Sequence, residues 1–336
     1  MVSLTEFCAS DLCYSSLVAS RERPTELFLA TIFSGDGHAT AASGLLIAAS
    51  TDGLTFYNLG DGHAPLYAPA TGVRDPIILY WHDQWQLAYS YGPNVSPIVF
   101  LATSPDLRHW TPLGALRLAA DAANNYVDVP QWIVDPAGQA HLIACVDDHH
   151  HWVELHPLSP DPASWGDQAH WSAVTTITDL AGAPLVQGNS FVTPYAGTYL
   201  MAFNAIVATE YYLRTSDSLN SGWSAPQPLH LDPQVNHGDS ENLLVLADGT
   251  LRFYVSNGNS LTKRLWCFNS ADLGRTWTAP CPVTFIGFEP AGVNWAQVVR
   301  LTGRAALAAY RAGARNLPPA DTTPGGSRSR DVTGRV

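Results

Sequence analysis

The chain of 336 residues is 46 % hydrophobic and only 14 % charged, which excludes a disordered polymer and leaves enough apolar surface for a large core. With 17 Lys and Arg against 29 Asp and Glu the net charge is −12. That deficit removes the basic footprint that nucleic acid or an anionic membrane surface requires, so neutral or cationic partners are expected.

Residues 1–24 read as a mixed lead-in. Met1 to Ser20 carries Glu6 and Asp11 and lacks the basic start and apolar block of a secretion signal. No stretch approaches the roughly 20 apolar residues of a membrane span. The five cysteines, Cys8, Cys13, Cys145, Cys267 and Cys281, form no CxxC pair. They read as reduced thiols of a cytoplasmic protein, with a bridge between Cys267 and Cys281, which flank one predicted hairpin, as the alternative.

From residue 25 onward one unit repeats. Aromatic residues interleaved with β-branched and small ones, and 26 Gly and 24 Pro for turns, make each unit a set of strands. The N-terminal copy offers Leu27 to Phe33, Leu45 to Ala49 and the turn Ser50-Thr51-Asp52-Gly53, but no first strand. The clearest copy runs Asp75 to Trp81, Trp85 to Ser90 and Ile98 to Thr103, and closes on Ser104-Pro105-Asp106 with Trp110. Later copies start near Asp128, Asn189 and Glu241, so the four starts stand 53, 61 and 52 residues apart. Strands are predicted over Trp295 to Leu301 and Ala305 to Tyr310, where the missing first strand can be supplied.

A repeat of this length suits four-stranded blades, and an open stack of such sheets would leave apolar faces and edges unpaired. The fold is therefore read as all-β: a five-bladed β-propeller of four-stranded antiparallel blades over residues 25–312, closed by C-terminal strands that complete the N-terminal blade. A β-sandwich is the alternative. Residues 313–336, with Pro318-Pro319, Gly325-Gly326 and an alternating Ser-Arg run, read as a disordered tail.

In such a ring the first residues of the innermost strands converge although they are far apart in sequence. Those positions carry Arg74-Asp75-Pro76, Asp128-Val129-Pro130, Gly188-Asn189-Ser190, Asp239-Ser240-Glu241-Asn242 and Val293-Asn294-Trp295. In a charge-poor chain, Asp75, Asp128 and Glu241 at three of five such places point to paired-carboxylate chemistry. Glycosidic bond hydrolysis needs one carboxylic acid to protonate the leaving oxygen and one carboxylate to activate water. The competing role is structural, with Asp75 and Glu241 capping strand starts or bridging to Arg74. Arg74, Asn189, His237 and Trp295 are the candidate substrate contacts, and Trp81 and Trp132 could also stack on a sugar ring. The Ser-x-Asp turns fall on the opposite face and read as structural. Asp147-Asp148-His149-His150-His151 falls in a pocket-face loop, where three consecutive histidines cannot all reach one ion.

Gly72-Val73-Arg74-Asp75-Pro76-Ile77-Ile78 followed by Trp85-Gln86-Leu87-Ala88-Tyr89 resembles the base-bearing strand of glycoside hydrolase family 43, a five-bladed propeller with relatives in families 32 and 68. The general pattern covers roughly residues 25 to 312. The resemblance implies an inverting, exo-acting hydrolase of a neutral arabinose-, xylose- or galactose-containing glycan, with Asp75 as general base and Glu241 as general acid. The family's acid is usually followed by Gly-Pro, whereas Asn242-Leu243 follows here. Its third carboxylate falls at Asn189, which brings no charge, so Asp128 is the candidate to supply it. Family members often have a central His near calcium. Here Asn294 takes that place and His237 precedes Glu241, so no metal or other cofactor is assigned. A carbohydrate is the expected partner, with neither nucleic acid nor membrane. Two alternatives stand beside this: a glycan-binding propeller without catalysis, and a sialidase-like hydrolase clamping a carboxylate with Arg74, Arg214, Arg252 and Arg311.

Overall fold

The computed structural model describes residues 25–33, 43–60, 64–91, 96–119, 126–146, 150–205, 210–232, 235, 241–256, 265–288, 296–314 and 317. The readings made for the lead-in, for most of the tail and for His237 and Trp295 lie outside these residues. The described chain forms five sheets. The first contains β1 (Glu26–Phe33), β2 (Leu45–Ser50) and β3 (Thr55–Asn58). The second is β4 (Arg74–Trp81), β5 (Gln84–Ser90), β6 (Ile98–Ser104) and β7 (Thr111–Arg117). The third is β8 (Val127–Val134), β9 (Ala140–Val146), β10 (His151–Leu155) and β11 (Thr175–Thr176). The fourth is β12 (Ser190–Tyr195), β13 (Thr198–Asn204), β14 (Tyr211–Ser216) and β15 (Gln227–Leu229). The fifth is β16 (Asn242–Val245), β17 (Leu251–Ser256), β18 (Leu265–Ser270) and β19 (Cys281–Pro282).

Two late strands return to the first sheet. β20 (Thr284–Ile286) pairs in parallel with β3 on its outer edge, and β21 (Ala296–Thr302) pairs antiparallel with β1 on its inner edge. The order β20-β3-β2-β1-β21 therefore joins the two ends of the ring. The innermost strands touch in the cyclic order β4, β8, β12, β16, β21 and back to β4, which makes a five-bladed propeller with the last strand as its closing piece. One expected strand is wrong. Ala305 to Tyr310 lies in helix α1 (Gly303–Ala312), with Ala306 and Ala309 buried three residues apart. Five alanines in ten residues favour a helix once β21 has filled the sheet edge. No helix among the described residues is long and apolar enough to cross a membrane.

Neighbouring blades are held by side-chain amides as well as by apolar packing. Gln131 accepts from the Val192 N–H at 2.9 Å and donates to the Val192 carbonyl at 3.2 Å, tying the third blade to the fourth. Asn242 repeats the device across the closing seam. It accepts from Val298 N–H at 2.9 Å and donates to the Ala296 carbonyl at 3.0 Å. Thr31 donates to the Pro76 carbonyl between the first and second blades. Each clamp satisfies buried backbone groups that the sheet ladders leave over.

The Ser-x-Asp turns are structural, as expected. Asp272 accepts from Thr276 N–H at 2.9 Å and from Ser270 Oγ at 2.8 Å. Thr276's bonds hold the Asp272 carboxyl down at about 2. Ser50 and Asp52 repeat the bond at 2.7 Å, and Ser104 and Asp106 at 3.3 Å.

Cys267 and Cys281 face each other across the β18–β19 ladder, and both are free thiols. Burial pushes the Cys267 thiol up to about 12, which leaves it a packing group.

The segment after β10 packs back onto the second blade at one point of close backbone contact. A Cβ added at Gly114 in β7 would overlap the Gly166 carbonyl, and one added at Gly166 would overlap the Leu113 carbonyl. Both clashes are with backbone, which cannot rotate away. Gly114→Ala is therefore expected to lower stability by about 1–3 kcal/mol, read as an earlier denaturant midpoint. Wild-type stability would show that the two segments separate freely.

Candidate active site

Asp75 and Asp128 both lie at the starts of innermost strands, where two adjacent strands bulge in the same way. In β4 the pairing jumps from Arg74–Ser90 to Ile77–Ala88, and in β8 from Asp128–Cys145 to Gln131–Ile143. In each case two residues, the second a proline, stand opposite one. Asp75 and Val129 take the left-handed conformation, with φ of +48° and +45°. A bulge turns its side chains away from the regular alternation. Left-handed φ is tolerable for Asp but costly for a β-branched Val.

This geometry corrects the repeat alignment by one residue. Val129, not Asp128, is the structural equivalent of Asp75, and Asp128 is the equivalent of Arg74. Arg74 and Asp128 thus occupy matching places on neighbouring strands with opposite charge. Arg74 Nη2 lies 3.1 Å from Asp128 Oδ2, and Arg74 Nε lies 3.3 Å from Asp75 Oδ2. The guanidinium bridges the two carboxylates. Asp75 Oδ2 also accepts from Ser90 Oγ at 3.2 Å and from Val129 N–H at 3.4 Å. Asp128 Oδ1 accepts from Val129 N–H at 3.1 Å. Arg74, assigned from sequence as a substrate contact, serves first as the link between two blades.

Glu241 immediately precedes β16 and is 4 % exposed, as deeply buried as Asp75 at 3 %. The innermost strands meet near their starts: Arg74 bonds Asp128, Gln131 bonds Val192, Asn242 bonds Ala296 and Val298, and Gln297 Nε2 reaches the Pro130 carbonyl at 3.5 Å. Asp75, Asp128, Asn189 and Glu241 therefore enter the ring from one end, on four different blades. Asn189 lies just before β12, where its carbonyl accepts from Asn204 N–H at 3.1 Å.

Other readings change. Trp132 is core: its ring packs 5.4 Å from Trp165 and 6.1 Å from Trp171. Trp81 closes the far end of β4, donating from Nε1 to the Pro160 carbonyl at 3.0 Å. Neither lies at the end that carries Asp75. The arginines of the sialidase alternative are scattered. Arg214 donates to the Ser224 carbonyl, Arg252 to the Asp52 carbonyl, and Arg311 lies on α1. Within the loop at 147–151, only His150 and His151 are described, and the His150 ring lies within 3.3 Å of the Tyr126 hydroxyl.

At the opposite end of the ring lies a cluster that sequence reasoning missed. His141 Nδ1 is 2.7 Å and His156 Nδ1 is 3.1 Å from Glu154 Oε1, and His141 Nε2 is 3.3 Å from Asp135 Oδ2. Burial works against charge on both central groups. The Glu154 hydrogen bond nevertheless raises the His141 value above its ordinary one, and the two histidines lower that of Glu154. The sequence signal was slight: Glu154 and His156 stand two residues apart, and His141 lies thirteen residues before Glu154.

No protein-family model and no curated protein sequence matches this chain. Its fold does match solved structures. It superposes on the exo-β-1,3-galactanase of Phanerochaete chrysosporium crystallised with β-1,3-galactotriose, with a TM-score of 0.55 and 14 % identity, over 77 % of this chain and 60 % of that one. The exo-β-1,3-galactanase of Clostridium thermocellum gives 0.59 and 11 %, over 84 % and 71 %. A β-1,3-galactosidase of glycoside hydrolase family 43 gives 0.54 and 12 %, over 85 % and 59 %. The chain thus spans about three fifths of the length of the first and third of these. The five-bladed propeller expected from the repeats is the fold these enzymes share.

Proposed function

We propose that this protein is a glycoside hydrolase acting on the ends of a neutral glycan, with galactose, arabinose or xylose at the cleaved position. The observation that carries the reading is the Arg74-bridged pair of Asp75 and Asp128 at the end of the ring where Glu241 also enters. The fold shared with β-1,3-galactan-cleaving enzymes supports it and puts galactose first.

In this reading Asp75 takes a proton from the attacking water and Glu241 gives one to the leaving oxygen. Single displacement then inverts the anomeric centre. Arg74 and the Ser90 hydroxyl hold Asp75 in one orientation through Oδ2. Asp128 holds Arg74 from the other side and so positions the base at one remove. The neutral Asn189 favours a second reading, a propeller that binds glycan without cleaving it, because it brings no charge to the start of the fourth blade's innermost strand.

The experiment is incubation with β-1,3-galacto-oligosaccharides, arabino- and xylo-oligosaccharides and nitrophenyl glycosides, with nascent products followed by proton NMR. Release of a monosaccharide with inverted anomeric configuration is expected. Product with retained configuration overturns the single-displacement assignment. Binding on a glycan array without any product selects the second reading.

A further inference from the structure

The His141–Glu154–His156 cluster is built on one hairpin, and its spacing follows from strand geometry. Glu154 and His156 are two residues apart and so share a face. The β9–β10 ladder ends on the pair Leu142–Leu155, so one further step sets His141 opposite His156. A nitrogen from each histidine and an oxygen of Glu154 all lie within 4.8 Å of one another. The site stands at the end of the ring away from Asp75.

Three further observations point to a ligand. The Glu154 side chain is only 3 % exposed, yet both imidazoles converge on its Oε1, and among the described residues nothing bonds its Oε2. A carboxylate so deeply buried needs positive charge close by. Next, the outer nitrogen of His141 is held by Asp135, the carboxylate–histidine arrangement that orients a metal-bound imidazole and fixes which nitrogen faces the ion. Finally, the cluster opens onto a cavity of about 300 Å³ that Tyr199, Asp217, Ser218 and Asn220 also line, leaving room for a solvent ligand.

The dimensions fit. Bonds of about 2.0–2.2 Å in a tetrahedron set ligand atoms roughly 3.3–3.5 Å apart. The observed separations of 2.7 and 3.1 Å reach that by side-chain shifts of a few tenths of an ångström. Two imidazoles and one carboxylate select a borderline transition metal over calcium or magnesium, which take oxygen ligands.

We propose that His141, Glu154 and His156 bind one divalent ion of the zinc class, with Asp135 orienting His141 and a water in the fourth position. The ion clips β9 to the end of β10. The proposal does not rest on the glycosidase reading, and its test needs no substrate.

The full chain, freed of metal with a chelator, is titrated with Zn²⁺ by calorimetry and with Co²⁺ by visible absorption. One equivalent per chain is expected, together with the intense visible bands of tetrahedral Co²⁺ and a higher melting temperature with Zn²⁺ but not with Ca²⁺ or Mg²⁺. His156→Ala should abolish all three, and its 37 % exposed side chain makes the substitution easy to accommodate. Glu154→Gln should do the same, and Asp135→Asn should weaken binding by about 10–100-fold. The proposal fails if the wild-type chain takes up no stoichiometric Zn²⁺. It also fails if a folded His156→Ala or His156→Gln protein binds as the wild type does, which would assign the ion to other histidines such as His109 or those at 149–151.

Discussion

Asp75→Asn is expected to lower kcat on a cleaved oligosaccharide by about 10²–10⁴-fold, the usual worth of a positioned general base, while the protein stays folded. The two halves of that expectation have separate physical grounds. An amide cannot take a proton from water at neutral pH, so the chemical step loses its acceptor. The backbone, however, tolerates the exchange, because Asp75 has φ of +48°, and Asn is among the few non-glycine residues found there readily. The amide oxygen can still accept from Ser90, and Arg74 keeps Asp128 as its partner. Circular dichroism and the melting temperature should therefore match wild type within a few degrees while turnover collapses. Turnover equal to wild type in a folded Asp75→Asn protein would remove the base assignment. Asp75→Ala is a poorer test, since it also forces alanine into the left-handed region at a bulge.

The second large effect is on stability. Asn242→Leu is expected to cost about 2–6 kcal/mol, because it strips the side-chain partner from one buried N–H and one buried carbonyl, at roughly 1–3 kcal/mol each. Both lie on β21, the strand that closes the ring. Gln131→Leu removes the same pair of bonds between the third and fourth blades. Comparing the two separates the worth of a clamp from the worth of the seam. Both are read by chemical denaturation with fluorescence, for which the buried tryptophans give a strong signal. A loss below about 1 kcal/mol in Asn242→Leu would mean that water or a neighbouring group takes over both bonds.

Much of the architecture was legible because each blade solves the same problem with the same residues. The strands Asp75 to Trp81, Trp85 to Ser90 and Ile98 to Thr103 were read within one residue of their observed bounds, and the absent first strand of the N-terminal copy correctly implied a late strand to fill it. The helix over Gly303–Ala312 was missed because a short alanine-rich run has no strong period of its own, and its state is decided by an edge already occupied. The site was legible only in part. Asp75 and Asp128 could be placed at strand starts, but a bulge adds a residue without leaving a mark in sequence. The pairing of Arg74 with Asp128 therefore stayed hidden, and Asp128 was matched to the wrong neighbour. Trp132 and Trp81 were open to a sugar-stacking role because aromatic residues look alike in sequence whether they line a groove or fill a core. The metal question was drawn to the consecutive histidines at 149–151, while the imidazoles that converge sit at the other end of the same hairpin. Only the strand register brings them together.

The seat of β21 at the hub has a consequence for biosynthesis. The segment nearest the axis in the first blade is made after every other strand of the ring. Until residue 302 has emerged, β1 carries a bare edge and the nascent ring stays unsealed, so chaperone protection should persist until this closing strand is made. A premature stop before residue 296 would release a chain with four paired blades and one open flank, a substrate for proteolysis or for strand exchange between copies.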